Sequence, residues 1–408
     1  MKRRYNSMRF ILLFLMLFGA VPAGADILVQ CPGDTNGDAV WTPPEVQPVN
    51  TVCIHLTSGD GFIKMGDGYD QYMFGFKDVT GVPRNEVMNV GMLAAEFAAP
   101  TIKVKEGQNV YLTLSNVGMV MRPDLFDAHT VHWHGFPFTA PVFDGEPMAS
   151  IAINMGSSLT YYYVAPDPGT YMYHCHFEAT EHMQMGMLGN LYVTPLQDGT
   201  MVGGCTSMKY VFNDGDGSTC YDVDYPIQLL SFDPRFHDNH INVQPLPFAN
   251  MKDTYPMING RGYPETVNTA GDTDGDGVID DLNAPGVVTN VNGLVSQKIH
   301  AKVVATQGQR VLLRISSLST VEYYTVRTLG IPMLVVGKDA KQLKGPSGNF
   351  YYTTDSLTLG GGESFDVILN TTNIAPGTYF LYTTNLNHLS NDNEDYGGMM
   401  TEIVINPI

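Results

Sequence analysis

Pro168-Gly-Thr-Tyr-Met-Tyr-His-Cys-His176 decides the fold of this chain, because the sequence uses it twice and keeps its chemistry only once. The second copy reads Pro376-Gly-Thr-Tyr-Phe-Leu-Tyr-Thr-Thr384. Two further segments recur in the same order, about 200 residues apart. Gly107-Gln-Asn-Val-Tyr-Leu112 is answered by Gly308-Gln-Arg-Val-Leu-Leu313, and His129-Thr-Val-His-Trp-His-Gly135 by Tyr324-Thr-Val-Arg-Thr-Leu-Gly330. Three matches in one order mark a duplicated domain.

The repeated segments carry strand signals. Val110–Leu114 and Val311–Ile315 are β-rich runs that begin just after a Gly turn, and Leu159–Val164 and Phe365–Leu369 read the same way. Abundant turn formers and aromatics (Gly 42, Pro 25, Tyr 22) favour strands over helices. The expected architecture is all-β, two Greek-key sandwiches. The first spans 48–197 and the second 225–408, with a Gly- and Asp-rich connector over 198–224 and an N-terminal extension over 26–47.

Residues 1–25 read as a secretory signal. Lys2, Arg3, Arg4 and Arg9 precede an apolar run, and Ala23-Gly24-Ala25 offers small residues for cleavage. The run is too short to span a bilayer, and no later segment is apolar enough to do so. The expected location is secreted or periplasmic. The formal net charge of −19 argues against nucleic acid as a partner. Five cysteines in an exported chain predict two local disulfides, Cys31 with Cys53 and Cys205 with Cys220. Cys175 is left without a partner.

The surroundings of Cys175 point to a metal. Six of the eleven histidines lie between 129 and 182. His129, Cys175, His182 and Met187 supply two imidazoles, one thiolate and one thioether, the donor set of a type 1 (blue) copper site. His132 and His134 alternate along a strand, so both face one side, and His174 and His176 flank Cys175 in the same way. These four histidines predict a second copper site on the opposite side of the strand from the thiolate. The second repeat is a control within the chain. Tyr324, Arg327 and Leu329 stand where the first repeat has His129, His132 and His134, and Tyr382, Thr383 and Thr384 replace the His-Cys-His triplet. The sandwich does not need these histidines to pack.

At these residues the chain resembles the multicopper oxidase and copper nitrite reductase superfamily, whose domains are cupredoxin-like. The segments at 129–135 and 168–187, with Phe143-Asp-Gly-Glu-Pro147 and 257–266, are similar to laccase segments. The resemblance implies a copper-dependent oxidoreductase passing electrons from an outer donor, a small molecule or a redox protein, to an oxygen-reducing copper site. His132, His134, His174 and His176 would be its catalytic ligands. The alternatives, ranked behind it, are a nitrite-reductase-like enzyme with one type 1 and one type 2 copper and a non-enzymatic copper-binding electron carrier. Two departures stand out. His182 lies seven residues after Cys175, a longer loop than the laccase one, and the four remaining histidines are too few for a three-copper cluster. Two-domain members complete such sites between chains, so the resemblance implies a homotrimer in which His388 of a neighbour contributes.

Asp272, Asp274, Asp276 and Asp280 occupy the first, third, fifth and ninth positions of an EF-hand-like loop, with Gly277 in sixth place, and predict calcium. Asp34, Asn36 and Asp38, with Glu45, form a weaker version of the same pattern.

Overall fold

The computed structural model describes residues 29–408 apart from Phe138. The N-terminal segment read as an export signal lies outside the described residues. The first repeat forms β1 (Thr51–Lys64), β2 (Asp70–Asp78), β3 (Ala99–Lys105), β4 (Asn109–Gly118), β5 (His132–His134), β6 (Ser158–Val164), β7 (Gly169–His174) and β8 (Leu188–Thr194). The second forms β9 (Val223–Phe232), β10 (Tyr255–Ile258), β11 (Val303–Thr306), β12 (Arg310–Ser317), β13 (Tyr324–Thr328) and β14 (Met333–Lys338). Five shorter strands follow, β15 (Lys341–Gln342), β16 (Lys344–Gly345), β17 (Gly348–Asn349), β18 (Tyr352–Thr354) and β19 (Ser356–Leu359). The chain closes with β20 (Ser364–Asn370), β21 (Gly377–Thr383) and β22 (Met400–Asn406).

The duplication read from three segments is a duplication of topology. In the first repeat the sheets run β2-β1-β4-β6 and β3-β8-β7-β5; in the second they contain β10-β9-β12-β20 and β11-β22-β21-β13. Each repeat has the same pair of parallel contacts, β1 with β4 and β3 with β8, then β9 with β12 and β11 with β22. These are cupredoxin-like β-sandwiches. The second carries additional strands beyond the shared pattern, with β14, β15 and β18 extending one sheet and β19 the other.

Alternation places the cores. Val110, Leu112 and Leu114 of β4 turn one face into the first core, and Val311, Leu313 and Ile315 of β12 do so in the second. Leu312 on the opposite face of β12 is also buried, against Val211, Phe212 and Tyr221. The stretch predicted as a connector therefore covers the outside of the second sandwich, and the Cys205–Cys220 disulfide ties it down. The Cys31–Cys53 disulfide fixes the N-terminal extension to β1 in the same manner. Each closes a short loop and so restricts the unfolded chain.

The two sandwiches meet along β7, the strand that leads to Cys175. Thr170 Oγ1 donates to Asp366 Oδ1 on β20 (2.6 Å), and Ser316 Oγ on β12 donates to Asn190 Oδ1 on β8 (2.8 Å). The fully buried Arg314 donates from Nε to Asp224 Oδ2 at 3.0 Å and lies over the ring of Tyr192. Buried charge is tolerable only when paired in this way. Among the described residues no helix is long and apolar enough to cross a membrane.

Candidate metal centre

The residues on either side of the end of β7 build two clusters back to back. Cys175 follows the last residue of β7 and is fully buried. The chain then leaves the sheet, forms the short helix Ala179–Gln184, and returns into β8. Cys175 N donates to Met187 O (3.0 Å) and Met187 N to His182 O (2.9 Å), which closes the loop. Gly186 makes the return with φ +116°, and any side chain there would strike Phe74 O. His129 reaches the same place from the strand-like segment before β5, held by paired backbone bonds with Ile153.

The side chains converge as the spacing predicts for the first cluster. His182 Nδ1 lies 3.3 Å and His129 Nδ1 3.9 Å from Cys175 Sγ. All three residues are buried, and their donor atoms lie within 4.8 Å of one another. Met187 is also buried in the core that contains Cys175. Thr130 N donates to Cys175 Sγ at 3.4 Å, a contact suited to a thiolate. Burial pushes the Cys175 thiol up to about 12 and holds His129 down at about 3. The imidazoles are thus neutral with lone pairs available, while the thiolate needs a cation beside it to form. Soft sulfur with two neutral imidazoles fits copper.

His132, His134 and His174 form the second cluster, again with donor atoms within 4.8 Å. Register explains it, because His132 pairs with His174 across β5 and β7. His132 Nδ1 donates to Asp144 O (2.7 Å) and His174 Nδ1 sits 2.9 Å from Cys175 O, which leaves Nε2 of each as the free ligand atom. Burial holds His174 near 3. His176 sits at the edge of this cluster. It lies one residue beyond Cys175, past the end of β7, and its donor atoms fall outside the close group, although its ring is 5.0 Å from that of His132. Its ring stacks on that of His174 with centroids 5.5 Å apart, so it lies on the side that alternation predicts while its nitrogens stay outside the close group.

Other residues predicted as ligands are placed differently. His388 packs against Tyr324 (ring centroids 5.3 Å apart) in the second sandwich, with Nδ1 buried and unpartnered, and it is outside both clusters of its own chain. Asp272, Asp274 and Asp276 group together, but Asp280 does not join them. Its carboxylate instead accepts from Thr273 Oγ1 (3.0 Å), while Asp272 is engaged by His300 Nε2 (2.8 Å).

Sequence reasoning missed the second sandwich's part in the site. The helix Pro234–Ile241 inserts His237 and His240 behind the metal loop. His237 Nε2 meets Gln184 O (2.9 Å) and His240 Nε2 meets Glu181 Oε1 (2.8 Å). Gly362, φ +90°, lies against His134, and a Cβ there would come within 2.8 Å of Nε2. Gln184 Nε2 donates to the buried Asp253 (3.1 Å), which also accepts from Ser231 Oγ. No local motif signals these contacts.

Burial pushes the Asp253 carboxyl up to about 7. Its folded pKa is raised, so its contribution to stability is complete only below the ordinary carboxylate range and is lost as pH rises through about 7. Asp253→Asn should therefore flatten the fall in stability between about pH 4 and 7, by an amount on the order of a few kcal/mol. Thermal melting of the metal-free protein against pH measures this; a profile parallel to that of the parent counts against it.

Two family models, both described as multicopper oxidase, match residues 78–198 and 242–403, together more than half of the chain. A laccase of Cryphonectria parasitica is 24% identical over 310 residues, 74% of this chain and 41% of that protein. An L-ascorbate oxidase of Cucumis sativus is 34% identical over 131 residues, 31% of this chain and 19% of its own length. The chain thus spans less than half of the length of these relatives. Among solved structures, the blue copper oxidase of Nitrosomonas europaea superposes with a TM-score of 0.62 at 23% identity, covering 87% of this chain and 86% of that one. Two clusters back to back across β7, on a twice-used sandwich that both family models recognise, make this chain a member of the multicopper oxidase family.

Proposed function

We propose that the protein is an exported copper-dependent oxidase. An outer donor delivers single electrons at His129, Cys175, His182 and Met187, and oxygen is reduced at His132, His134, His174 and His176. The observation that carries this reading is the position of Cys175 between the clusters. Its Sγ faces His129 and His182, while His174, its chain neighbour, groups with His132 and His134. An electron arriving at the sulfur has one peptide unit to cross. Copper, when bound, supplies the one-electron chemistry at both places. The chain's own residues orient the ligands: Thr130 steadies the thiolate, and the carbonyls of Asp144 and Cys175 fix the tautomers of His132 and His174.

Among the described residues only three imidazoles group closely at the second site, so we infer a homotrimer in which His388 of the partner subunit completes it. The unpartnered Nδ1 of His388 supports this, as do the exposed Leu386, two residues before it, and the exposed Tyr323, next to the Tyr324 ring on which it packs. Two disulfides and the basic, apolar N-terminal sequence support secretion or a periplasmic location. Asp272, Asp274 and Asp276 remain the proposed ligands of a stabilising calcium ion.

Metal analysis with electron paramagnetic resonance and oxygen uptake tests the reading. More than one copper per chain, a type 1 signal and donor-dependent oxygen consumption are expected. Copper-replete protein that reduces nitrite and leaves oxygen untouched favours the reductase, and a single copper with neither activity favours an electron carrier.

A further inference from the structure

We propose that the repeat that lost its donors now serves the one that kept them. Tyr324, which stands where the first repeat has His129, is a positioning residue: through Ser231 and Asp253 it holds the metal loop at Gln184, and the charge at Asp253 sets how readily the type 1 copper is reduced. This rests on the type 1 copper reading given above.

The second repeat keeps the frame of the blue site. Thr383 N donates to Met399 O (3.1 Å) as Cys175 N donates to Met187 O (3.0 Å), so both sandwiches close this loop in the same way. Thr383 replaces the thiolate and Tyr324 the first imidazole. Tyr324 is the first residue of β13 and is fully buried. Its hydroxyl donates to Ser231 Oγ on β9.

From there the hydrogen bonds run to the first sandwich. Ser231 Oγ accepts from Tyr324 and gives its own proton to Asp253 Oδ2, while Gln184 Nε2 donates to Asp253 Oδ1 (3.1 Å). The other end of the same amide, Gln184 Oε1, accepts from Thr320 Oγ1 (3.0 Å). Tyr324, Ser231, Asp253 and Gln184 are all buried. Both polar ends of the Gln184 side chain are therefore held by the second sandwich. Gln184 lies between His182 and Met187, so a displacement there is passed to two donors of the blue site.

The chain also places a charge behind the loop. Burial pushes the Asp253 carboxyl up to about 7, Asp233 and Glu322 raise it further, and the bonds from Ser231 and Gln184 act the other way. His237, which meets Gln184 O (2.9 Å), is held down at about 4 by burial and so stays neutral. A carboxylate here stabilises Cu(II) over Cu(I), because the ion of higher charge gains more. Without the Tyr324 hydroxyl the bond that Ser231 gives is weaker, less charge remains at a given pH, and the loop loses part of its anchor.

Redox titration of the copper-loaded full chain, followed by its blue absorption, tests this. In Tyr324→Phe the ratio of Cu(II) to Cu(I) at a fixed potential should fall at least ~3-fold, with a changed copper hyperfine splitting and no loss of copper. Ser231→Ala should repeat the shift, and the double variant should add nothing to it. In the parent the ratio should rise with pH through about 7, and Asp253→Asn should remove that rise. The Glu181–His240 pair, which also touches the loop, is common to both proteins. Tyr225→Phe is the control, since it takes a buried hydroxyl bond (to Val304 O, 2.9 Å) from the same sandwich and should leave the blue site unchanged. A potential in Tyr324→Phe equal to that of the parent, or an equal shift in Tyr225→Phe, overturns the proposal. Where Tyr324→Phe does not fold, Ser231→Ala carries the same comparison. A copper-loaded parent without blue absorption removes the type 1 reading and this inference with it, whereas a blue parent with unmoved variants removes this inference alone.

Discussion

Cys175→Ser should leave a folded, colourless protein whose donor oxidation has fallen to background. Serine is close to cysteine in size, and the fully buried position tolerates it sterically. What changes is the donor. A hydroxyl is hard, stays protonated in a buried site and cannot supply the soft, polarizable bond of a thiolate. His129 and His182 remain, and two imidazoles with a thioether bind copper weakly. The copper content should drop by about one ion per chain, in step with the loss of colour. The melting temperature should fall by the binding energy that metal contributes to the native state alone. Visible absorption, metal analysis and calorimetry on one sample check the three effects together. A variant that stays blue would falsify the assignment of the sulfur as ligand.

His174→Gln and His134→Ala should have the opposite signature. Both should remain blue and still be reduced by an anaerobic donor, yet oxygen uptake should fall at least ~100-fold. The two histidines reach the second cluster from different strands, His134 on β5 and His174 at the end of β7. A shared phenotype therefore reports the cluster and not a local disturbance of the Cys175 loop. His174 alone touches Cys175 through its carbonyl (2.9 Å), so a slight spectral shift is expected in that variant and none in His134→Ala. If both variants consume oxygen at the parent's rate, the cluster is not the catalytic site and the electron-carrier reading gains.

Much of this is legible in the sequence alone. The order His129, Cys175, His182, Met187 names a donor set, and the second repeat shows by contrast that those residues are not required by the sandwich. Alternation also placed His132 and His134 correctly on one face of β5. His176 keeps to the same side, its ring 5.0 Å from that of His132 and 5.5 Å from that of His174, but β7 stops at His174 and the nitrogens of His176 stay outside the close group. Asp280, predicted from the spacing of an EF-hand-like loop, stands outside the group of Asp272, Asp274 and Asp276 and accepts a hydrogen bond from Thr273.

The sequence by itself determined the duplication, the two disulfide pairs and the grouping of His129 and His182 around Cys175. Each is a local pattern, fixed by spacing along one strand or loop. Only the tertiary structure decided that Asp127 would meet Glu181 beside His182, that Gly362 would lie against His134, and that a helix of the second sandwich would brace the metal loop through His237 and His240. The physical reason is that these contacts join residues far apart in the chain. They depend on the loop path and on how one sandwich packs against the other, which no periodicity encodes.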